Sequence, residues 1–160
     1  MHLLASKPGG FTDEEGIVVL AQSAADLIVL SAADTTLAAL AAVIDELPDT
    51  FPSVRLANWM QLIKPAAYDL YEDKVLSKAH VVVVSLLGGK SYWSYGLERL
   101  QEWQHQGTTV SPRQLIVVPG DDEIDPELVA ACSVDSDSAK RVWRYLREGG
   151  LDNSRQLMRF

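Results

Sequence analysis

Cysteine is nearly absent: the 160 residues hold one, Cys132. A single thiol cannot build an internal disulfide framework, and a reducing compartment suits it. Histidine is sparse too, and His2, His80 and His105 have no spacing that resembles a zinc or transition-metal site. No apolar run approaches the roughly 18–20 residues that a membrane-spanning helix needs. The N-terminal MHLLASKPGGF lacks a cationic start followed by a long apolar stretch, so no signal peptide is expected. Basic residues are in the minority, 14 Lys and Arg against 22 Asp and Glu, and the net charge is −8. That sign disfavours a nucleic-acid partner, whose phosphates call for a basic face. The expectation is a cytoplasmic chain with neither membrane nor nucleic acid as partner.

What is present is a globular composition, 48% hydrophobic and 22% charged, over a length that fits one domain with a sizeable core. The charge is uneven. Residues 140–160 carry six Lys or Arg against two acids, and residues 1–139 carry eight against twenty. The basic stretch suits docking on an acidic surface, or simply one solvated helix face.

Continuous apolar runs, rather than alternating ones, mark strands buried on both faces of a parallel sheet. Five stretches read that way: HLLA (2–5), DLIVLS (26–31), SVRLAN (53–58), HVVVVSLL (80–87) and QLIVVPG (114–120). Helical patterns follow the last four of these stretches, at 35–47, 68–79, 91–107 and 137–148. Asp34 suits the N-cap of the first, and Leu70, Val75 and Leu76 part of one face of the second. GIVVLAQ (16–22) fits either an irregular loop or an extra strand. Strands alternating with helices predict an α/β, doubly wound, mostly parallel five-stranded sheet with helices on both faces, a flavodoxin-like arrangement in three layers. Residues 1–150 are expected to form a single α/β domain. Residues 151–160 read as the start of a further helix, capped by Asp152 or Asn153 and leading into a longer chain.

In such a sheet, ligands sit where the carboxyl ends of the strands meet the loops. Here those loops are Pro8–Gly10, Ser31–Asp34, Asn58–Trp59, Gly88–Lys90 and Pro119–Asp122. The run Gly89-Lys90-Ser91 looks like a phosphate-binding loop, but that loop needs a further glycine five positions earlier, where Val84 stands in mid-strand. The pair Gly88-Gly89 instead suits a sharp strand-to-helix turn. A dinucleotide GxGxxG is absent, and the acids and lysine of a phospho-acceptor receiver are missing at the matching strand ends. Tyr92, Trp93 and Tyr95, with Trp59 on a neighbouring loop, could stack on a flat ligand. Trp93 and Leu97, one turn apart, suit a core equally in spacing. The acidic run Asp121, Asp122, Glu123 and Asp125 could attract a hard cation, yet acidic loops ahead of a helix N-terminus are common without one. No catalytic pairing stands out, and neither catalytic nor metal-binding residues are expected. The candidates for ligand contact are Gly88, Gly89, Lys90, Tyr92, Trp93 and Asp121, all assigned to the loop edge.

Several stretches in this order resemble one family: residues 3–40, residues 54–100 with LLGGKSYWSYG, residues 115–127 with PGDD, and YLREGGLDN at 145–153. Together they resemble the N-terminal part of the CobN-type large subunit of aerobic cobaltochelatase, in the CobN/magnesium chelatase large-subunit superfamily. The resemblance covers nearly the whole chain. It implies a role in cobalamin biosynthesis, with hydrogenobyrinic acid a,c-diamide as the corrin precursor and Co²⁺ inserted while a separate AAA+ ATPase subunit and its partner subunit hydrolyse ATP. No cofactor is then expected in this segment; cobalt and ATP with Mg²⁺ act in the full complex. Lys90 would pair with a carboxylate of the ring. Two roles fit: lining part of the tetrapyrrole cleft, or bracing the large subunit or its ATPase partners with no ligand, through Arg141, Arg144 and Arg147.

Overall fold

A computed structural model describes residues 20–160, together with the backbone of residues 11–12 and 17–18. Two short strands, β1 (Phe11–Thr12) and β2 (Ile17–Val18), pair antiparallel. The main sheet holds β3 (Leu27–Ser31), β4 (Val54–Asn58), β5 (Val81–Leu86) and β6 (Gln114–Pro119) in the order β4-β3-β5-β6, every pairing parallel. The helices are α1 (Asp34–Ile44), α2 (Pro65–Lys74), α3 (Ser94–His105), α4 (Pro126–Ala130), α5 (Ser136–Glu148) and α6 (Gly150–Arg159).

Among the described residues the parallel sheet has four strands, where five were expected. The fifth expected strand, HLLA at 2–5, lies outside the described residues, as does the Pro8–Gly10 loop. The segment left open at 16–22 contributes Ile17–Val18 to the small antiparallel pair.

The burial pattern explains the layering. Side chains alternate across each strand, so Ile28, Leu30, Val82, Val84, Leu115 and Val117 face one way and Val29, Val83, Ile116 and Val118 the other. The first set packs under α2, α3 and α4 with Tyr68, Leu97, Leu100, Trp103 and Leu128. The second packs under α1, α5 and α6 with Leu37, Leu40, Val142, Leu146 and Met158. Both faces are covered, which is why the strands read as unbroken apolar runs. Chain order reverses direction at β3: β4 lies on one side of it, β5 and β6 on the other. That reversal is a topological switch point, between the carboxyl ends of β3 and β5.

Local details differ from expectation. Ala33, not Asp34, is the N-cap of α1, and Asp34 lies in its first turn, where the helix dipole favours a carboxylate. Pro65 starts α2 three residues early, because proline needs no backbone N–H partner at a first helical position. Leu70 turns out 42% exposed while Val75 and Leu76 are fully buried. In α6 the N-cap is Gly149, and neither Asp152 nor Asn153 caps. The Asn153 amide instead donates to the Gly149 carbonyl at 2.9 Å, inside the first turn. Helix α6 folds back along α1, where Arg155 Nε and Nη2 donate to the two carboxylate oxygens of Glu46 at 2.8 and 3.0 Å.

Candidate functional site

The carboxyl edge of the sheet is built by short loops on long strands. After β5 the chain turns at Gly88 and Gly89, with φ of 89° and 84°. These left-handed conformations suit glycine, which has no Cβ to clash. At Gly88 an added Cβ would stand 2.5 Å from the Tyr92 ring, so the ring lies directly on the turn. A short 3₁₀ turn, Lys90–Trp93, then leads into α3. Across the edge, Gly120 to Asp125 precede α4, and Asp125 caps that helix by accepting from the Glu127 N–H at 2.9 Å. The space a Cβ on Gly89 would occupy lies 3.8 Å from an Asp125 oxygen, which puts the two loops face to face.

The six candidates separate into two groups. Lys90 and Asp121 are exposed, Gly88 lies at the open turn, and Tyr92 is 67% exposed. Gly89 is half-buried against Asp125. Trp93 goes inward. It is 2% exposed, donates its indole N–H to the Leu62 carbonyl at 3.1 Å, and meets Tyr68 edge-on at 5.8 Å. Its ring is thus part of the core beneath the edge and not a platform at the edge. Trp59, also buried, donates to the Ser85 carbonyl at 2.9 Å. The acidic loop is tied to α5: Trp143 donates to the Asp121 carbonyl at 3.2 Å, and Arg147 pairs with Asp122 at 3.3 Å.

Two residues outside the six, Ser31 and Ser85, stand at the switch point itself. Ser31 and Ser85 are partners in the β3–β5 register, both on the α1 side of the sheet. With Ala32, Ala33, Leu87 and Gly120 they line a cleft of about 150 Å³. Ser31 is buried, and its hydroxyl oxygen accepts from the Ala33 N–H at 3.1 Å. Ser85 is 9% exposed, and its backbone carbonyl accepts from the Trp59 indole N–H at 2.9 Å. The signal was in the sequence: DLIVLS and HVVVVS are apolar runs that both reach a serine at the same register. Bulk volume marks a different place, an apolar cleft of about 450 Å³ at the amino ends of the strands, lined by Leu27, Val81, Leu157 and Phe160.

Nucleophilic and metal chemistry find little here. Cys132 donates to the Val117 carbonyl at 3.2 Å, and burial pushes its thiol pKa up, away from the reactive thiolate. Among the described residues no three His, Cys, Asp or Glu side chains gather to hold a metal. No described helix is long and apolar enough to cross a membrane.

No family model matches the chain. Individual proteins do. The aerobic cobaltochelatase subunit CobN of Pseudomonas aeruginosa is 47% identical over 159 residues, 99% of this chain and 12% of that protein. The aerobic cobaltochelatase subunit CobN of a Sinorhizobium species is 38% identical over 154 residues, 96% of this chain and again 12% of the relative. The chain is a CobN-type sequence. It spans 12% of the length of these CobN relatives. Among solved structures, the catalytic subunit of cobaltochelatase from Mycobacterium tuberculosis matches with a TM-score of 0.62 and 26% identity, over 83% of this chain and 10% of that one.

Proposed function

We propose that this CobN-type segment contributes the carboxyl edge of its sheet to the corrin-binding cleft of a cobaltochelatase large subunit. The whole subunit takes hydrogenobyrinic acid a,c-diamide and inserts cobalt, which is substrate here, in the cytoplasm. An AAA+ ATPase subunit and its partner supply the energy of ATP hydrolysis, with Mg²⁺ bound there. The observation that carries the reading is identity of 47% across 99% of the chain with a cobaltochelatase subunit. The edge supports it: Tyr92 offers an exposed ring and Lys90 an exposed cation beside it. An aromatic face stacks on a flat ring, and an ammonium pairs with a ring carboxylate. The segment holds the ring and performs no catalytic step alone.

The test is a titration of the chain with hydrogenobyrinic acid a,c-diamide, read by ring absorbance and tryptophan emission. Saturable binding that weakens in Lys90→Ala and Tyr92→Ala is expected. A folded chain that leaves the ring spectrum unchanged would overturn the reading.

A second reading, an interaction module, rests on the exposed apolar side chains Met60, Ile63, Leu87 and Tyr92 and on the exposed Arg141, Arg144 and Arg147 of α5. Under it, reversing those three charges disrupts assembly of the full subunit with its partners while the ring still binds.

A further inference from the structure

We infer that the amino-end cleft and the basic face of α5 beside it dock an acidic segment with an apolar anchor, supplied by another part of the same large subunit. This deepens the interaction-module reading and is independent of the corrin edge, which lies at the opposite ends of the strands. The cleft of about 450 Å³ opens where β3, β5 and β6 begin, at Leu27, Val81 and Gln114. Val134, Leu157 and Phe160 continue its wall, and Phe160 is 51% exposed. Concave apolar surface rimmed by charge is the usual make-up of an interface.

The rim is basic. Ser138 of α5 lines the cleft, and Arg141 follows one turn on. The Arg141 guanidinium lies 4.6 Å from the centre of the Phe160 ring and 5.8 Å from that of Tyr145, and its Nε donates to the Tyr145 hydroxyl at 3.1 Å. Lys140 and Arg144, one turn apart on α5, are exposed, and so is Arg159 beside Phe160. Their lack of partners sets these cations apart. Arg99 pairs with Glu72 at 3.0 Å, Arg147 with Glu148 at 3.2 Å and Arg155 with Glu46 at 2.8 Å. Lys140, Arg141, Arg144 and Arg159 pair with no carboxylate among the described residues, although the chain holds 22 acids to 14 bases. Asp137 and Glu148 stand one turn from Arg141 and Arg144, yet neither pairs with them. Stacking on rings holds Arg141 in place and leaves N–H donors over, so little freedom is lost when a carboxylate arrives.

Charge fixes the chemistry of the partner. Clustered cations without acids call for carboxylates. A long polyanion such as a nucleic acid would run past the patch over a chain of net charge −8, which repels it. Strength fixes the source. Exposed ion pairs contribute little each, and a free partner loses its translational and rotational freedom on binding. A segment of the same polypeptide is spared that loss, because the chain holds it at high effective concentration. This chain spans 12% of the length of its CobN relatives, so a CobN-type subunit has ample further length to provide the segment.

The experiment is carbodiimide cross-linking of the full-length subunit that carries this sequence, read by peptide mass spectrometry. The reagent joins an ammonium to a carboxylate only where the two touch. Lys140 is the native reporter, and Arg144→Lys adds a second while keeping the charge. One or both lysines should link to an Asp or Glu outside these 160 residues. In a mixture of light and heavy-isotope subunit the link should stay within one label. Arg141→Glu, a change at an exposed position, should abolish the link while circular dichroism stays native. Links only within residues 1–160, only between two copies or only to another subunit of the assembly would each overturn the inference. So would a link that survives Arg141→Glu unchanged, or no link from either lysine. The ring is no part of this readout, so a corrin that fails to bind would sink the proposed function and leave the inference standing. Links only to another subunit would keep the interaction module and sink the inference.

Discussion

Trp59 and Trp93 stack with ring centroids 5.6 Å apart and planes 21° from parallel. One ring comes from the turn after β4 and the other from the turn after β5, so the stack clamps two loops of the carboxyl edge from below. Each indole N–H is also spent on a backbone carbonyl, Ser85 for Trp59 and Leu62 for Trp93. Trp59 and Trp93 therefore hold the shape of the edge from beneath, while Tyr92 presents its ring outward.

Trp93→Ala should cost about 3–5 kcal/mol of folding stability, the range for emptying a large buried aromatic site. It removes the stack on Trp59 and the contact with Tyr68. Urea unfolding followed by far-ultraviolet circular dichroism measures it. A loss below about 1 kcal/mol would mean the ring is not packed as described.

Gly88→Ala and Gly89→Ala should differ although both residues have positive φ. The backbone conformation costs an alanine about 1–2 kcal/mol at either place. At Gly88 the new methyl also meets the Tyr92 ring at 2.5 Å, whereas at Gly89 the nearest atom is 3.8 Å away. Gly88→Ala should therefore be the less stable variant and should swing Tyr92 off the turn, seen as changed ring proton shifts. Equal stabilities with an unmoved ring would contradict the contact.

The layers and the four described strands were legible in the sequence because burial on both faces leaves unbroken valine and leucine runs, and those runs stop at turn residues. The helix starts were less legible. Ala33 caps α1 in front of an aspartate, since the dipole stabilises Asp34 from inside the first turn as well as from the cap. The site was half legible. Chain order points to the loop edge, but whether an aromatic faces in or out depends on contacts from distant residues. Trp93 turns inward because Trp59 and Tyr68, 34 and 25 positions away, make room for it. Ser31 and Ser85 carry no motif, and only strand register brings them side by side.

Glu46 should titrate below the ordinary glutamate range, because the Arg155 hydrogen bonds hold its carboxylate charged. The folded pKa lies below the unfolded one. The pair's contribution is thus present above the unfolded value and lost as pH falls through the folded one. Carbon-detected NMR titration of the Glu46 carboxyl follows this directly. In Arg155→Met the midpoint should rise to the ordinary glutamate value, and amide exchange in α6 should quicken as its tie to α1 is cut. An unchanged midpoint in that variant would rule out the pairing.

Tyr68 and Tyr71 should stay protonated until the chain unfolds. Burial pushes both phenols well above the ordinary tyrosine value, and the neighbouring Glu72 charge raises Tyr68 further. Tyr71 also donates to Gln22 Oε1 at 2.9 Å, a bond that ionisation would break. In the unfolded chain each phenol releases its proton near about pH 10. Above that pH the folded state binds more protons than the unfolded one, so stability falls as pH rises, by about 1.4 kcal/mol per pH unit for each such group. Tyrosinate absorbance recorded alongside circular dichroism should show these two ionising only together with loss of structure. Tyr71→Phe should flatten the alkaline fall in Tm. Ionisation of all five tyrosines in a chain that keeps its native dichroism would contradict the burial of this pair.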